Sequence, residues 1–511
     1  MPGQGRDADS ARNIPGPCSR AAPGRAGGQV PAGSASACEQ IHFFTLFYAA
    51  FVSRWRFRGI GHVMTRSMTA GRAAALALSF LALAGARAAA DDGGAYGPGW
   101  SAVHADAANT DYHQGDGPGE LKLAWSRSFG GMINLGPTAD AAGRIYFTSS
   151  GSGCRLHALD GATGKTLWCS DVVDKLAVAS SPLLDRDGNL FVADGKAMRS
   201  FSPAGELRWT TPIIGVPLSA QFTPHGDVVV ITNVGVIYIL DRQSGRAVME
   251  PHALVPNPRF DPSKGAMACM RGLPECPSAN TPAVDMATGR IFFTFWAPGA
   301  PRAGIRAMRI TGGASPTLVE EWVNESLPGG SAASPDISAD GKRLYLTDNE
   351  GGLHALDAAT GNILWSYPIG YASGGSVSTS PEGLIIPAGG TKAALMALRD
   401  AGDHAETVWR KADVNNFGVA TQAGGFKAYP TASLGHGRAE LLTIDTRTGA
   451  ILDRDAIPGK PIFTVGTTLG PDGTVYVATI LGEMHAYAGP RRKAPHGAKA
   501  GEDHGSPKAA Q

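Results

Sequence analysis

The chain has no excess of charge of either sign, with 45 Lys+Arg against 44 Asp+Glu. That excludes the basic footprint by which proteins hold nucleic-acid backbones. Several catalytic signatures are also missing. There is no C-x-x-C-H, no H-E-x-x-H, no G-x-G-x-x-G opening a helix and no G-x-x-x-x-G-K-S/T loop. Covalent haem attachment, zinc-protease chemistry and phosphate cradling therefore have no motif to rest on. Long apolar runs are absent too. The stretches Ile41–Val52 and Ala73–Ala86 are both too short to cross a bilayer. Cysteine is scarce, at 6 residues.

Glycine (68) and proline (35) are plentiful, as a turn-rich β protein requires. Eight short apolar strands each end in a polar turn: Cys154–Asp160, Lys196–Ser202, Gly235–Asp241, Gly304–Ile310, Gly351–Asp357, Ala393–Arg399, Ala439–Asp445 and Gly482–Ala488. The clearest copies read RLHALDGATGKTLW (Arg155–Trp168) and GLHALDAATGNILW (Gly352–Trp365). A strand–turn–strand unit of this kind cannot bury its own apolar face and must stack on copies of itself. Four short antiparallel strands per unit make the blade of a β-propeller.

A Trp-type position closes each unit: Trp125, Trp168, Trp209, Val248, Trp322, Trp365, Trp409 and Leu452. These are offset from the apolar strands. Trp125 precedes every complete unit, and the final unit, Ile462–Ala488, has no last strand of its own. The segment Leu121–Phe129 is therefore expected to supply it, giving an all-β, eight-bladed propeller with no open edge. Seven blades would require discarding the unit at Gly226–Val248 or the one at Val419–Leu452. Between Val248 and Trp322 the spacing stretches to 74 residues and includes a Pro-rich insertion, Pro251–Ala279, expected on one face of the ring.

The ends read differently. Residues 64–90 resemble a secretory signal: Arg66 and Arg72, the apolar run Ala73–Ala86, then small residues up to a cleavage point after Ala88 or Ala90. Export to the periplasm or cell exterior is the expectation, with Met64 as initiator. Residues 1–63 then form an upstream extension that is mis-assigned or disordered; the alternative is a genuine extension with Ile41–Val52 as a membrane-active patch. The propeller spans 91–488, without a transmembrane span, and 489–511 is a polar tail of disordered composition. Of the cysteines in the mature chain, Cys154 and Cys169 flank one hairpin turn and Cys269 and Cys276 bracket a short loop, so two disulfides are expected, 154–169 and 269–276.

Histidines His157, His354 and His485 recur at one repeat position, which points to packing rather than catalysis; Asp160, Asp241, Asp357 and Asp445 likewise fit turn capping. The segment Asp185–Asn189 superficially resembles a calcium loop, but lacks the spaced ligands and reads as a turn. No Ser–His–Asp set can be assembled from spacing. Candidate ligand-binding positions are the polar residues where innermost strands begin, near the channel mouth: Asn134, Ser181, Gln221, Asn280 and Ser334, with Trp296 beside them as a flat apolar surface. Small polar residues are also sterically required near a propeller axis, so the same positions have a purely structural explanation.

The units DGATGKTLW, DAATGNILW and DRQSGRAV, with their HAL or YIL strands, resemble the repeats of the pyrroloquinoline-quinone-like (PQQ-like) propeller superfamily across roughly Trp100–Ala488. For its quinoprotein dehydrogenases, the resemblance implies a quinone held between a Trp and a disulfide of adjacent cysteines, Ca²⁺ on Glu, Asn and Asp, and an Asp base. Adjacent cysteines are absent here, and Asn280 alone is a candidate for the Asn ligand. The resemblance also extends to outer-membrane assembly lipoproteins of the BamB type, which bind proteins through loops on one face; the lipobox cysteine of that branch is absent. The leading expectation is an exported, monomeric scaffold binding a protein or small ligand on the face that carries Pro251–Ala279. The alternative is a PQQ- and Ca²⁺-dependent dehydrogenase of an alcohol, sugar or aldehyde.

Overall fold

The computed structural model describes residues 94–262, 272–274, 280–312, 316–331, 333–461 and 463–490. The signal segment, the upstream extension, most of the tail and the pair Cys269 and Cys276 lie outside them. The described strands form a propeller of four-stranded antiparallel sheets. Six sheets have four or five strands, and a seventh, of ten, runs two consecutive repeat units together through the pair Asn416–Ala432. Taken separately, those two give eight units. Their innermost strands are Thr138–Asp140, Leu183–Leu184, Pro217–Phe222, Ala283–Asp285, Asp336–Ile337, Ser378–Thr379, Thr421–Gly424 and Thr464–Leu469, numbered below as blades 1 to 8. Of the two units that a seven-bladed reading would discard, the one at Gly226–Val248 lies in a separate four-stranded sheet and the one at Val419–Leu452 lies in the ten-stranded sheet. In blade 3 the outermost strand is His252–Ala253, beyond Val248.

The Trp and Gly of the repeat work as one joint. Trp125, Trp168, Trp209, Trp322 and Trp409 each donate the indole N–H to a backbone carbonyl in the turn of the next blade: Gly161, Pro203, Arg242, Ala358 and Thr446, at 2.7–3.2 Å. The ring then lies over that turn's glycine, at Gly164, Gly205, Gly245, Gly361 and Gly449, all with φ between 68° and 86°. Trp365 uses a carboxylate instead, donating to Asp400 at 3.0 Å. The turns are capped by their aspartates, for example Thr163 N–H to Asp160 at 2.8 Å and Thr360 N–H to Asp357 at 2.8 Å.

Trp125 belongs to the last blade. Its strand, Lys122–Ser128, pairs antiparallel with Glu483–Ala488, Trp125 opposite Ala486. Its ring packs 6.2 Å from Tyr476 of the same blade, as Trp168 packs 6.1 Å from Tyr146 within blade 1.

In blade 1, Cys154 and Cys169 form a disulfide, with Cα atoms 5.7 Å apart. It closes a 15-residue separation. Replacing both cysteines by serine is expected to lower stability by about 3 kcal/mol, read as a fall in denaturation midpoint; an unchanged midpoint would mean the hairpin holds without the bridge.

Candidate functional site

The segment Gly94–Asp116 occupies the centre of the ring. Gly99–Trp100 adds a fifth strand inside blade 1 (Trp100 opposite Ala139), and Tyr112–Asp116 pairs in parallel with the innermost strand of blade 7. Between them the backbone visits the inner edge of one blade after another. Ser101 O accepts from Leu184 N at 2.8 Å, Ala107 O from Val284 N at 2.7 Å, Ala108 O from Ile337 N at 2.9 Å, Thr110 O from Thr379 N at 2.9 Å and Asp111 O from Gln422 N at 3.0 Å. Innermost strands of a propeller have no neighbour on the axial side, so their amides need partners. This strap supplies them. Three of its non-glycine residues, Ala105, Asn109 and Asp111, have φ of 75°, 63° and 47°, a conformation that surrounding contacts must hold.

Its side chains are locked in as well. Asn109, 0% exposed, donates to the carbonyls of Pro335 (2.9 Å) and Thr281 (3.4 Å) and accepts from Gln221 at 2.9 Å. His104 sits between Asp111 (Nδ1 to Oδ2, 2.8 Å) and the Ser334 hydroxyl (Nε2 to Oγ, 3.1 Å), with Ser376 Oγ 3.5 Å from the same nitrogen. This brings together a Ser, a His and an Asp that spacing alone could not assemble. Ser334, however, is 0% exposed and lines neither cavity. Ser376 Oγ, which does face a cavity, accepts from Ser334 N at 2.9 Å. The arrangement is a latch fastening the strap to blades 5 and 6.

Three acids are buried around this latch. Burial raises the carboxyl pKa values of Asp106 and Asp111, and raises that of Asp336 well above the ordinary range, where the charges of Asp106 and Asp111 push the same way. Thr379 Oγ1 donates to Asp336, opposing the rise. A raised folded-state pKa means that any penalty is absent below the unfolded value, grows as pH climbs from there to the folded one and is constant above it. Asp336→Asn, which keeps an acceptor for Thr379, is therefore expected to raise the melting temperature at pH 8 and to leave it nearly unchanged at pH 4. An equal gain at both pH values would show that charge is not the cause.

The polar residues at the inner strands have assignable work. Ser181 donates to Gly136 O at 3.0 Å and its N–H reaches Ser219 Oγ at 3.0 Å. Thr281 donates to Leu218 O (2.6 Å), Ser378 to Ala420 O (2.5 Å) and Thr468 to Pro137 O (3.0 Å). These bonds form a belt from blade to blade. Gln221 is fully buried against the strap, donating to Asp106 O at 3.1 Å and accepting from Tyr96 at 2.7 Å. Trp296 lies at the end of Arg290–Phe295, donates to Ala300 O at 3.0 Å and packs beside Gly330, outside both cavities. His157 and His354 also bond within their blades, to Ser149 (3.0 Å) and to Asp348 (2.7 Å) and Ser366 (2.8 Å). Burial lowers the pKa of His157 and of His485 to about 4, keeping both neutral. Asp185 accepts from the backbone of Asp187 and Asn189, as a turn does.

Among the described residues, two cavities lie on the axis. The smaller, about 110 Å³, opens where innermost strands begin; Asn134, Asn280, His104, Ser376, Leu218 and Phe463 are among its walls. Two described residues of the insertion lie at this face: Phe260 packs against the cluster of Ala179, Val216 and Leu218, and Gly272 lies against Ser331 of blade 5. The larger, about 910 Å³, opens where those strands finish.

As the described residues line them, neither cavity fits pyrroloquinoline quinone with Ca²⁺. The smaller is below the roughly 300 Å³ that drug-sized ligands occupy, and among the described residues no tryptophan, cysteine or carboxylate lines it. In the larger, Trp100 is 1% exposed and has no free face for stacking, and no cysteine is present. Among the described residues no three His, Cys, Asp or Glu side chains converge to hold a metal.

Comparison with known proteins bears on the same question. A family model described as outer membrane protein assembly factor BamB matches residues 120–253 and 283–464. Protein Rv3035 of Mycobacterium tuberculosis is 34% identical over 397 residues, covering 76% of this chain and 96% of that protein. Among solved structures, BamB from Moraxella catarrhalis superposes with a TM-score of 0.51 at 17% identity, over 72% of this chain and 99% of its own. Quinohemoprotein alcohol dehydrogenase from Comamonas testosteroni gives 0.56 at 15% identity, over 80% and 83%. At such identities the two structures speak to fold alone.

Proposed function

Since the chain belongs to the family of PQQ-repeat propellers described as outer membrane protein assembly factor BamB, we propose that it is a binding scaffold. In this reading it acts through the face crossed by Pro251–Ala279. The observation that carries the proposal is the strap: a chain that spends its own Gly94–Asp116 on the axis leaves its faces for protein partners. The pairing of Lys122–Ser128 with Glu483–Ala488 would seal eight blades into a ring on which a loop can present itself. The segment at Met64–Ala90 would export the protein, and the Cys154–Cys169 bridge is compatible with an oxidising compartment.

The occupant of that face is a protein partner. A photo-crosslinking residue placed at the exposed Arg259 of the insertion is expected to yield a discrete adduct in the native cell, whereas one at Ala287, exposed on the opposite face, yields none. In parallel, the purified protein titrated with pyrroloquinoline quinone and Ca²⁺ is expected to show no stoichiometric binding and no dye-linked oxidation of alcohols. Equal adducts at both positions, or saturable one-to-one quinone binding, would sink the reading.

A further inference from the structure

The 910 Å³ bowl lies at the end of the axis away from the insertion, and half of its wall is the strap. Tyr96–Ser101, Ala105–Ala108, Thr110 and Tyr112–Gln114 form one side; Val284–Ala287, Ile337–Ala339 and Thr379–Pro381 form the other. Its volume is that of a small-molecule site rather than a packing defect. The wall is largely apolar, from Pro98, Met286, Ile337 and Pro381, with a few polar groups. Asp106 and Asp285 are among its walls, and burial raises the pKa of Tyr112, with the charges of Glu382 and Asp116 pushing the same way. His113, the remaining titratable group of the wall besides Tyr96, has its pKa lowered by burial and so stays neutral. Among the described residues, no lysine or arginine lines the bowl.

We propose that this bowl binds a small organic cation with a flat apolar body. The apolar wall would take the body and the carboxylate side would complement the charge. Asp106 is the main determinant of sign. Its oxygens already accept from Ala108 N (3.0 Å), Thr110 N (3.2 Å) and Thr110 Oγ1 (2.6 Å), so it is held rigidly in the wall. Burial raises its pKa, and a bound cation would lower it again by supplying the opposite charge that the wall lacks. This site is independent of the insertion face and stands or falls separately from it.

Three probes of one shape and different charge test it: naphthylmethylammonium, naphthylmethanol and naphthoate, titrated calorimetrically into the full chain at pH 7.5. The ammonium is expected to bind saturably, at least tenfold tighter than the alcohol, with naphthoate weakest. Asp106→Asn keeps an oxygen for the Ala108 and Thr110 amides and should reduce the ammonium's advantage about tenfold. Met286→Trp, on the blade side, adds bulk to one part of the wall and should weaken binding of all three while the melting temperature is retained. Absence of saturable ammonium binding, preference for naphthoate, or binding untouched by Met286→Trp would each overturn the proposal.

Discussion

Asn109→Leu is expected to destabilise the protein by about 4 kcal/mol and to make the strap cleavable by protease under native conditions. The figure combines two effects. The substitution removes the bonds to Pro335 O and Thr281 O and strands one donor contact of Gln221, in a site with no exposure, at about 1–3 kcal/mol for unsatisfied buried groups. It also places a leucine at φ 63°, which adds about 1–2 kcal/mol where asparagine is tolerated. Asn109→Gly separates the two, since it relieves the backbone and loses only the hydrogen bonds. The glycine variant should lie between wild type and leucine in denaturation midpoint. Identical midpoints for leucine and wild type would mean that the strap is not held through this residue.

Gly164→Val is the second large effect, because it strikes the seam of the ring. A Cβ on Gly164 would stand 2.7 Å from Trp125 Cδ2, on a backbone with φ 68°. The β-branched side chain would pay left-handed strain and displace the indole from Gly161 O, to which it now donates at 2.8 Å. About 3–5 kcal/mol is expected from strain and the disrupted packing together. Trp125→Phe should lose less, keeping the aromatic packing on Tyr476 while giving up the hydrogen bond. A seam that tolerated Gly164→Val without loss of stability would contradict the docking of Trp125 on that turn.

Much of the ring was legible in the sequence. The HAL strand, the TG turn and the Trp form a pattern with a period, and their offset by one strand identifies Leu121–Phe129 as the partner of the final unit before any coordinate is seen. The strand pairing of Trp125 opposite Ala486 agrees with that reading. What the sequence did not reveal is that the Trp of one blade covers the glycine of the next, because the two residues lie far apart along the chain, as Trp125 does from Gly164.

The strap was not legible, for a physical reason. Its bonds to blades 2, 4, 5, 6 and 7 run from its backbone carbonyls, which every residue possesses, so no residue type or period marks it. The signals that existed were faint. Asp336 stands where Thr138, Leu183 and Ala283 stand in other blades, and a carboxylate at such a position needs a reason. His104 and Asp111 precede the first unit and gave no hint of Ser334, 230 residues away from His104. Of the polar inner-strand positions, Asn134 and Asn280 line the smaller cavity, whereas Ser181, Gln221 and Ser334 bond to neighbouring blades or to the strap. Steric need for small polar groups near an axis and their use in a belt of inter-blade hydrogen bonds produce the same residues as a ligand site would, which is why sequence alone left both explanations standing.

Hydrogen exchange at the amides that bond to the strap, followed by mass spectrometry, tests the central claim most directly, because the claim is that this segment is an integral part of the ring. The amides of Leu184, Val284, Ile337, Thr379 and Gln422, which donate to strap carbonyls, should exchange as slowly as the amides paired within the blades. Exchange of those five within seconds, while the amides paired within the blades stay protected, would contradict it.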